Sequence, residues 1–391
     1  MRKRMLILAV VLVLSITVVA CGNSSNGTSG ASSSQNSPSL SAEPTVTKKP
    51  LSDITIGFSI STLTTEFFVA FQEGIERQAE AYGIKVIYQN ADGDPAKQLN
   101  QIEQLVSRKV DAIILSPIDT NGIIPVIKKA NEANIPIIAF DRTALEGNID
   151  SFVRSDNFEM AGAAAKWMAE QLKERYGEYK GNIVNLQGLM SSTPGQERDK
   201  GFLDVLNLYP DINIIATQAA DFDQTKGFDK MMSIIQANRN VKIDGVLGAN
   251  DENVLGALQA IKQQNLFKPV GDPDHIFLTG IDGSKQALEA IRNGEMDITV
   301  SQHPIQSAEA TVQLAIAKIY GKDVPKDVRW PYKVISKENI DSEEVKQYGL
   351  WPYSMGNKDE GNVRLMKGIP IYLENGQMAG DYRELYEEVS K

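Results

Sequence analysis

The side chains of this chain best suited to engage a ligand are acids, amides, guanidinium groups and aromatic rings that follow short apolar runs. Ser61, Thr62, Thr64, Thr65 and Phe67-Phe68 follow the first run. Asp141-Arg142, Gln187, Arg198, Phe222, Asn250-Asp251, Asp282 and Gln302 follow later runs or open the next helical pattern. Planar carboxylates, amides and guanidinium groups pair with vicinal hydroxyls, and ring faces pack on C–H surfaces. Together the set points to a sugar or another polyol. Each member also has an ordinary structural reading. Asp141-Arg142 is also readable as a surface ion pair, and one of Phe67 and Phe68 belongs to the core. Asp251 fits a helix N-cap better than a ligand group, Asn250 could close a turn, and Arg198 on a helix would ordinarily be solvated. Their shared position after the runs favours the ligand reading.

Other chemistry is poorly represented. There is no G-x-S-x-G elbow, no phosphate-binding G-x-x-x-x-G-K-[ST] loop, no H-E-x-x-H and no G-x-G-x-x-G after an apolar run. Two histidines (His275, His303) and one cysteine (Cys21) do not make a zinc site or a Cys-His nucleophile pair. The Asp221/Asp223/Asp229 spacing lacks the glycine and terminal Glu of a calcium loop. Asp141 and Asp282 could be cast as a glycosidase pair, but an adjacent Arg142 is expected to lower the pKa of Asp141, the wrong direction for a general acid. No enzyme, cofactor or metal is expected. The 391 residues carry 40 basic and 50 acidic groups, a formal charge of −10, which disfavours nucleic acid as a partner.

The elements that must position these groups alternate. Ile54–Ile60 predicts a strand, and Phe68, Phe71, Ile75 and Ala79 recur at helical spacing. A strand at Lys85–Tyr88 leads to Asp94 as N-cap and Pro95 at the first helical position. Strand Ala112–Leu115, helix Gly122–Ala133 and strand Pro136–Phe140 follow, and the rhythm resumes after Asp156 with helices at 158–175, 197–208, 225–238, 252–264 and 284–292 between strands at 182–187, 212–217, 244–248 and 276–281. Apolar strands between amphipathic helices predict α/β architecture, parallel sheets covered on both faces. The stretch Val110–Leu115 through Phe140-Asp141 parallels Ile243–Leu247 through Ile281-Asp282, so two doubly wound lobes are expected. Ligands of such sheets sit beyond the carboxyl ends of the strands, which puts Asp141 and Asp282 in one shared cleft.

The amino-terminal stretch has its own logic. Arg2, Lys3 and Arg4 precede an apolar run of 16 residues from Met5 to Ala20, too short to span a bilayer at about 1.5 Å per residue. Val18-Val19-Ala20-Cys21-Gly22 resembles the lipobox of bacterial lipoproteins, which implies a signal peptide over 1–20 and lipidation at Cys21. The 29 residues from Gly22 to Pro50, rich in Ser, Gly, Asn, Thr and Pro, read as a flexible tether with a reach of about 30 Å. The expected location is the outer face of the cell membrane, or the periplasm of a two-membrane host.

From about Ile54 to Ile335 the sequence resembles the ribose-type sugar-binding proteins of ATP-binding-cassette (ABC) importers, with the type I periplasmic-binding fold. The resemblance is carried by Ser61-Thr62-Leu63 with Phe67-Phe68, Ala139-Phe140-Asp141-Arg142, Ser155-Asp156-Asn157, Gln187-Gly188, Glu197-Arg198 before Gly201-Phe202, Ala220–Asp223, Asn250-Asp251-Glu252, Gly280–Gly283 and Ser301-Gln302. It implies that Phe67 or Phe68 and Phe222 stack on a sugar while Asp141, Arg142, Arg198, Asn250, Asp282 and Gln302 hydrogen-bond it. It also implies three hinge crossings near Ser155-Asp156, His303-Pro304 and Tyr332-Lys333. The lobes would then comprise residues 51–155 plus 303–332, and 156–302 plus 333–391, after a tethered segment at 21–50. Thr64-Thr65-Glu66 stands where the ribose binders have Asn-Asn-Pro, losing an amide at Thr65 and gaining a carboxylate at Glu66. Pentoses, hexoses and cyclitols all stay open as ligands. The implied function is capture of a monosaccharide or polyol by lobe closure, as a monomer, and delivery to an ABC permease; presentation to a membrane kinase or chemoreceptor is the alternative. The effector core of a lac-repressor-like regulator is disfavoured by the export-type start. The tail, 337–391, is expected to pack on the outside of a lobe.

Overall fold

The computed structural model describes residues 49–348. The leader with Cys21, the tether up to residue 48 and the tail from residue 349, including Trp351-Pro352-Tyr353 and the helical pattern Tyr382–Val389, lie outside the described residues.

The chain first builds β1 (Thr55–Ile60), α1 (Glu66–Tyr82), β2 (Lys85–Asn90), α2 (Pro95–Ser107), β3 (Ala112–Leu115), α3 (Ile124–Glu132), β4 (Ile137–Phe140) and β5 (Ser151–Ser155). A second series runs α4 (Asn157–Tyr176), β6 (Gly181–Gln187), α5 (Thr193–Leu206), β7 (Ile212–Ala219), α6 (Gln224–Ala237), β8 (Gly245–Gly248), α7 (Asp251–Gln263), β9 (Phe277–Asp282), α8 (Lys285–Arg292) and β10 (Ile298–Ser301). Then come α9 (Pro304–Ile319), β11 (Asp327–Trp330), β12 (Val334–Ser336) and α10 (Glu343–Tyr348).

These strands form two six-stranded sheets, ordered β2-β1-β3-β4-β5-β11 and β7-β6-β8-β9-β10-β12. The two orders match position for position, so the repeat legible in the sequence is a repeat of topology. Each sheet is buried on both faces. Ile54, Phe58, Phe71 and Phe140 pack with α1 and α9 on one face of the first sheet, and Ile102, Leu105, Ile113 and Ile127 cover the other. The second sheet is covered by clusters centred on Val246, Leu258 and Leu288 and on Met168, Phe202 and Leu247. The first sheet is wholly parallel, but β12 pairs antiparallel with β10, so the second is not. The chain enters β12 straight from β11 through three residues, with no helix to turn it round.

Sheet membership changes three times: after β5, after β10, where α9 returns to pack on α1, and between β11 and β12. The expected helix starts need two corrections. α5 begins at Thr193 rather than 197, because Ser192 accepts the Gly195 N–H and Pro194 occupies its first turn. Asn250, not Asp251, is the N-cap of α7. The start of the tail packs on the second lobe, where Ile340 and Val345 join its core.

Candidate functional site

The first turn of α1 brings three side chains to the mouth of the first lobe. Thr65 caps the helix by accepting the Phe68 N–H, and Phe67 and Phe68 follow in T-shaped contact at 5.3 Å between centroids. Phe68 also packs edge-on against Phe140, which stacks on Phe71 at 3.6 Å. A ring at the cavity is thereby fixed to the core of the lobe. Asp141 and Arg142 follow directly after β4, and Asp141 adopts the left-handed region at φ 56°.

The second lobe supplies the opposite wall. Asp282 ends β9 at φ 138°, and Phe222 stands before α6 at φ 62°. Left-handed backbone is costly for a bulky residue such as Phe, and it is found where the chain must aim a side chain. Gly188 leaves room for that ring: a Cβ there would lie 2.1 Å from the Phe222 Cζ.

Thr65, Phe67, Phe68, Asp141 and Arg142 from the first lobe and Arg198, Phe222, Asp282 and Gln302 from the second line one cavity, with Pro194. The cavity is small and tightly lined, with about 280 Å³ of space when its open mouth is included. Asn250, also singled out in the sequence, is buried but does not line it. Its Oδ1 accepts the Asn253 N–H and its Nδ2 donates to Glu252 Oε2. Thr62, half-buried, and Thr64, exposed, lie on the loop before α1 and bond to each other. Pro194 was not legible as a lining residue, although Ser192-x-Pro194 is a helix-start signal.

The polar groups of the cavity are held from behind. Arg198 is 2 % exposed; its Nε donates to Asn157 Oδ1 at 2.8 Å, and its Nη1 donates to the Ala249 carbonyl at 2.7 Å and lies 3.5 Å from Asp282 Oδ1. Gln302 Nε2 donates to the same Asp282 oxygen at 2.6 Å. Arg142 lies 5.1 Å from the Phe68 ring centroid and 5.6 Å from that of Phe222, so the guanidinium sits between aromatic faces of both lobes. Its buried Nε has no hydrogen-bond partner among the described residues and is 3.5 Å from Asp141 Oδ2 without the alignment of a bond. A buried donor of this kind calls for an acceptor in the cavity.

Burial dominates the electrostatics. Asp141 is pushed above the usual carboxylate range because loss of water outweighs the opposing pull of Arg142 and Arg198. This corrects the sequence expectation, which had the neighbouring arginine deciding the direction. Burial also lowers Arg142. Asp282 rises to about 7, chiefly by burial and further through Asp251 and Asp141, against the pull of Arg198 and the hydrogen bond from Gln302. Asp251, which accepts from Thr299 Oγ1 and the Ser284 N–H, rises to about 6, and Glu252 stands well above its ordinary value.

A family model for the periplasmic binding protein domain matches residues 56–323. The chain belongs to the periplasmic binding protein family. Within it, the ribose import binding protein of Bacillus subtilis is 32% identical over 282 residues, spanning 72% of this chain and 87% of that protein. The xylitol-binding protein of Mycolicibacterium smegmatis is 30% identical over 286 residues, 73% of this chain and 78% of that one. Among solved structures, an ABC transporter solute-binding protein from Bacillus halodurans with bound myo-inositol superposes with a TM-score of 0.68 at 30% identity, covering 75% of this chain and 98% of that one. These periplasmic binding proteins are carriers of solute rather than enzymes. Their two parallel-sheet lobes are the architecture found here.

Proposed function

We propose that this periplasmic binding protein captures a neutral monosaccharide or polyol between its lobes and delivers it to the permease of an ABC importer. The observation that carries the reading is the cavity itself, in which acids, guanidinium groups and rings from both lobes face one small volume. The names of the relatives agree in chemistry: ribose, xylitol and myo-inositol are uncharged and rich in vicinal hydroxyls. On this reading Phe67, Phe68 and Phe222 pack on the C–H faces of the ligand. Asp141, Arg142, Arg198, Asp282 and Gln302 bond its hydroxyls, and Thr65 contributes a hydroxyl of its own. Asn250 acts by holding Glu252 and capping α7.

Seven or eight hydrogen bonds, with the charged partners at the upper end of about 0.5–1.5 kcal/mol each, correspond to micromolar or tighter binding. A ligand missing one hydroxyl leaves a buried acid unpaired, at about 1–3 kcal/mol. Closure would come from the lobes turning about the three crossings, with residues 51–155 plus 303–332 moving against 156–302 plus 333–391. Cys21 would carry the lipid that keeps a monomer at the outer face of the cell membrane, and Cys21→Ser is expected to move it from the membrane to the soluble fraction.

The test is a thermal-shift screen over neutral monosaccharides, pentitols and cyclitols. At least one compound is expected to raise the melting temperature of the wild type. Asp141→Ala and Arg198→Ala should lose that shift yet still unfold cooperatively. A panel without a single hit, or a shift that survives both substitutions, rules the reading out.

A further inference from the structure

Glu66 does not face the cavity. Its carboxylate crosses to the second lobe, where Oε2 accepts the backbone N–H of Lys285 at 2.9 Å and Oε1 accepts from Gln286 Nε2 at 2.9 Å. Lys285 is the first residue of α8, so this N–H has no partner within its own helix. The traffic also runs the other way. Glu66 is the first residue of α1, and its N–H donates at 3.2 Å to Glu252 Oε1, on α7 of the second lobe. Each lobe thus satisfies a first-turn N–H of the other with a glutamate side-chain oxygen. An anion at a helix start also meets the positive end of the helix dipole.

We propose that Glu66 and Glu252 form a reciprocal latch that fastens the two lobes together and biases the protein toward its closed form before ligand arrives. The proposal rests on the closure in the functional reading above, but concerns how the closed state is held rather than what it holds. Separation of the lobes would return both N–H groups and the Glu66 carboxylate to water. Closure with the latch in place therefore costs less of the ligand's binding energy, and affinity for every ligand rises by the same factor.

A second set of lobe-to-lobe bonds allows the latch to be told from a local helix cap. Thr120 N–H donates to the Ser191 carbonyl at 3.0 Å, Ser191 Oγ to the Ile118 carbonyl at 3.2 Å, and Thr143 N–H to Thr193 Oγ1 at 3.4 Å. None of these bonds involves Glu66 or its partners.

The experiment is amide hydrogen exchange on the full-length, ligand-free protein, comparing wild type, Glu66→Gln and Glu66→Ala. With the side-chain half of the latch removed in Glu66→Ala, which keeps the backbone N–H that donates to Glu252, exchange should quicken at Lys285 and also at Thr120 and Thr143, by about three- to tenfold. Glu66→Gln, which keeps an acceptor and loses the charge, should fall between. Faster exchange confined to residues 284–287, or unchanged exchange everywhere, overturns the latch. Because no ligand is added, this result is independent of whether the sugar screen succeeds. A general loss of protection through both cores in Glu66→Ala, with none in Glu66→Gln, would likewise overturn it, since Glu66 would then be a folding residue.

Discussion

Asp282 ties the chemistry of single residues to the stability of the whole. Its carboxyl is raised to about 7 in the folded protein, against an ordinary value of 3.8. In the window between those values the folded state holds a proton that the unfolded state has lost. The stability associated with this group is therefore full below about pH 4 and disappears as pH climbs through about 7. Asp282→Asn removes the titration. The variant should gain on the wild type by about 2–4 kcal/mol between pH 4 and pH 8, read as a widening gap in melting temperature. Parallel pH profiles for the two proteins would count against the buried-acid description. Of the fifteen residues that stand out at strand ends and helix starts in the sequence, nine meet at the cavity, while Ser61, Thr62, Thr64, Gln187, Asn250 and Asp251 do not line it. What composition could not convey is orientation. Arg198 looks like any solvated helical arginine until Asn157, Ala249 and Asp282 surround it. Asn250 sits in the right motif, yet its amide is committed to α7 and Glu252. The direction of the Asp141 shift depended on burial, a quantity that an adjacent arginine in sequence does not report.

At the scale of elements, α1 is the part on which the site most depends, because it carries Thr65, Phe67 and Phe68 while packing on α9. The two helices pack tightly at Gly74, where a Cβ would lie 2.6 Å from Ala308 Cβ and 3.1 Å from the Ile305 carbonyl. A larger residue there must push the helices apart. Gly74→Val is expected to cost about 1–3 kcal/mol by overpacking and to weaken ligand binding as well, since the displaced helix takes two aromatic walls with it. Denaturant unfolding and titration on the same preparation would check this; undiminished stability would show the contact to be looser than described. The strands and helices themselves were legible from period and capping, as at Asp94-Pro95, where Asp94 accepts from the Ala96 and Lys97 N–H groups. The antiparallel β12 was not legible, since a three-residue strand has no periodicity to read. The crossings between sheets followed from family resemblance rather than from any local signal.

At the scale of the whole molecule, the described residues form two lobes whose sheets share one strand order, and polar networks run between them. Arg154 of the first lobe joins Asp327 and Glu197, and Glu197 reaches Asn157, which holds Arg198 at the cavity. The crossings and the ligand wall are thus connected through hydrogen bonds as well as through the chain. Glu66 belongs to this scale too, because its role exists only when α1 and α8 come from different lobes and meet. From sequence it was an extra carboxylate near a binding loop and nothing more. The central claim is that one ligand is gripped from both sides, by Asp141 of one lobe and Asp282 of the other. Its most direct test is calorimetric titration of the best compound from the sugar screen into wild type, Asp141→Ala and Asp282→Ala. The account predicts one site per chain in the wild type and a loss of at least about tenfold in affinity in each variant. Full affinity in either variant would contradict a grip shared by the two lobes.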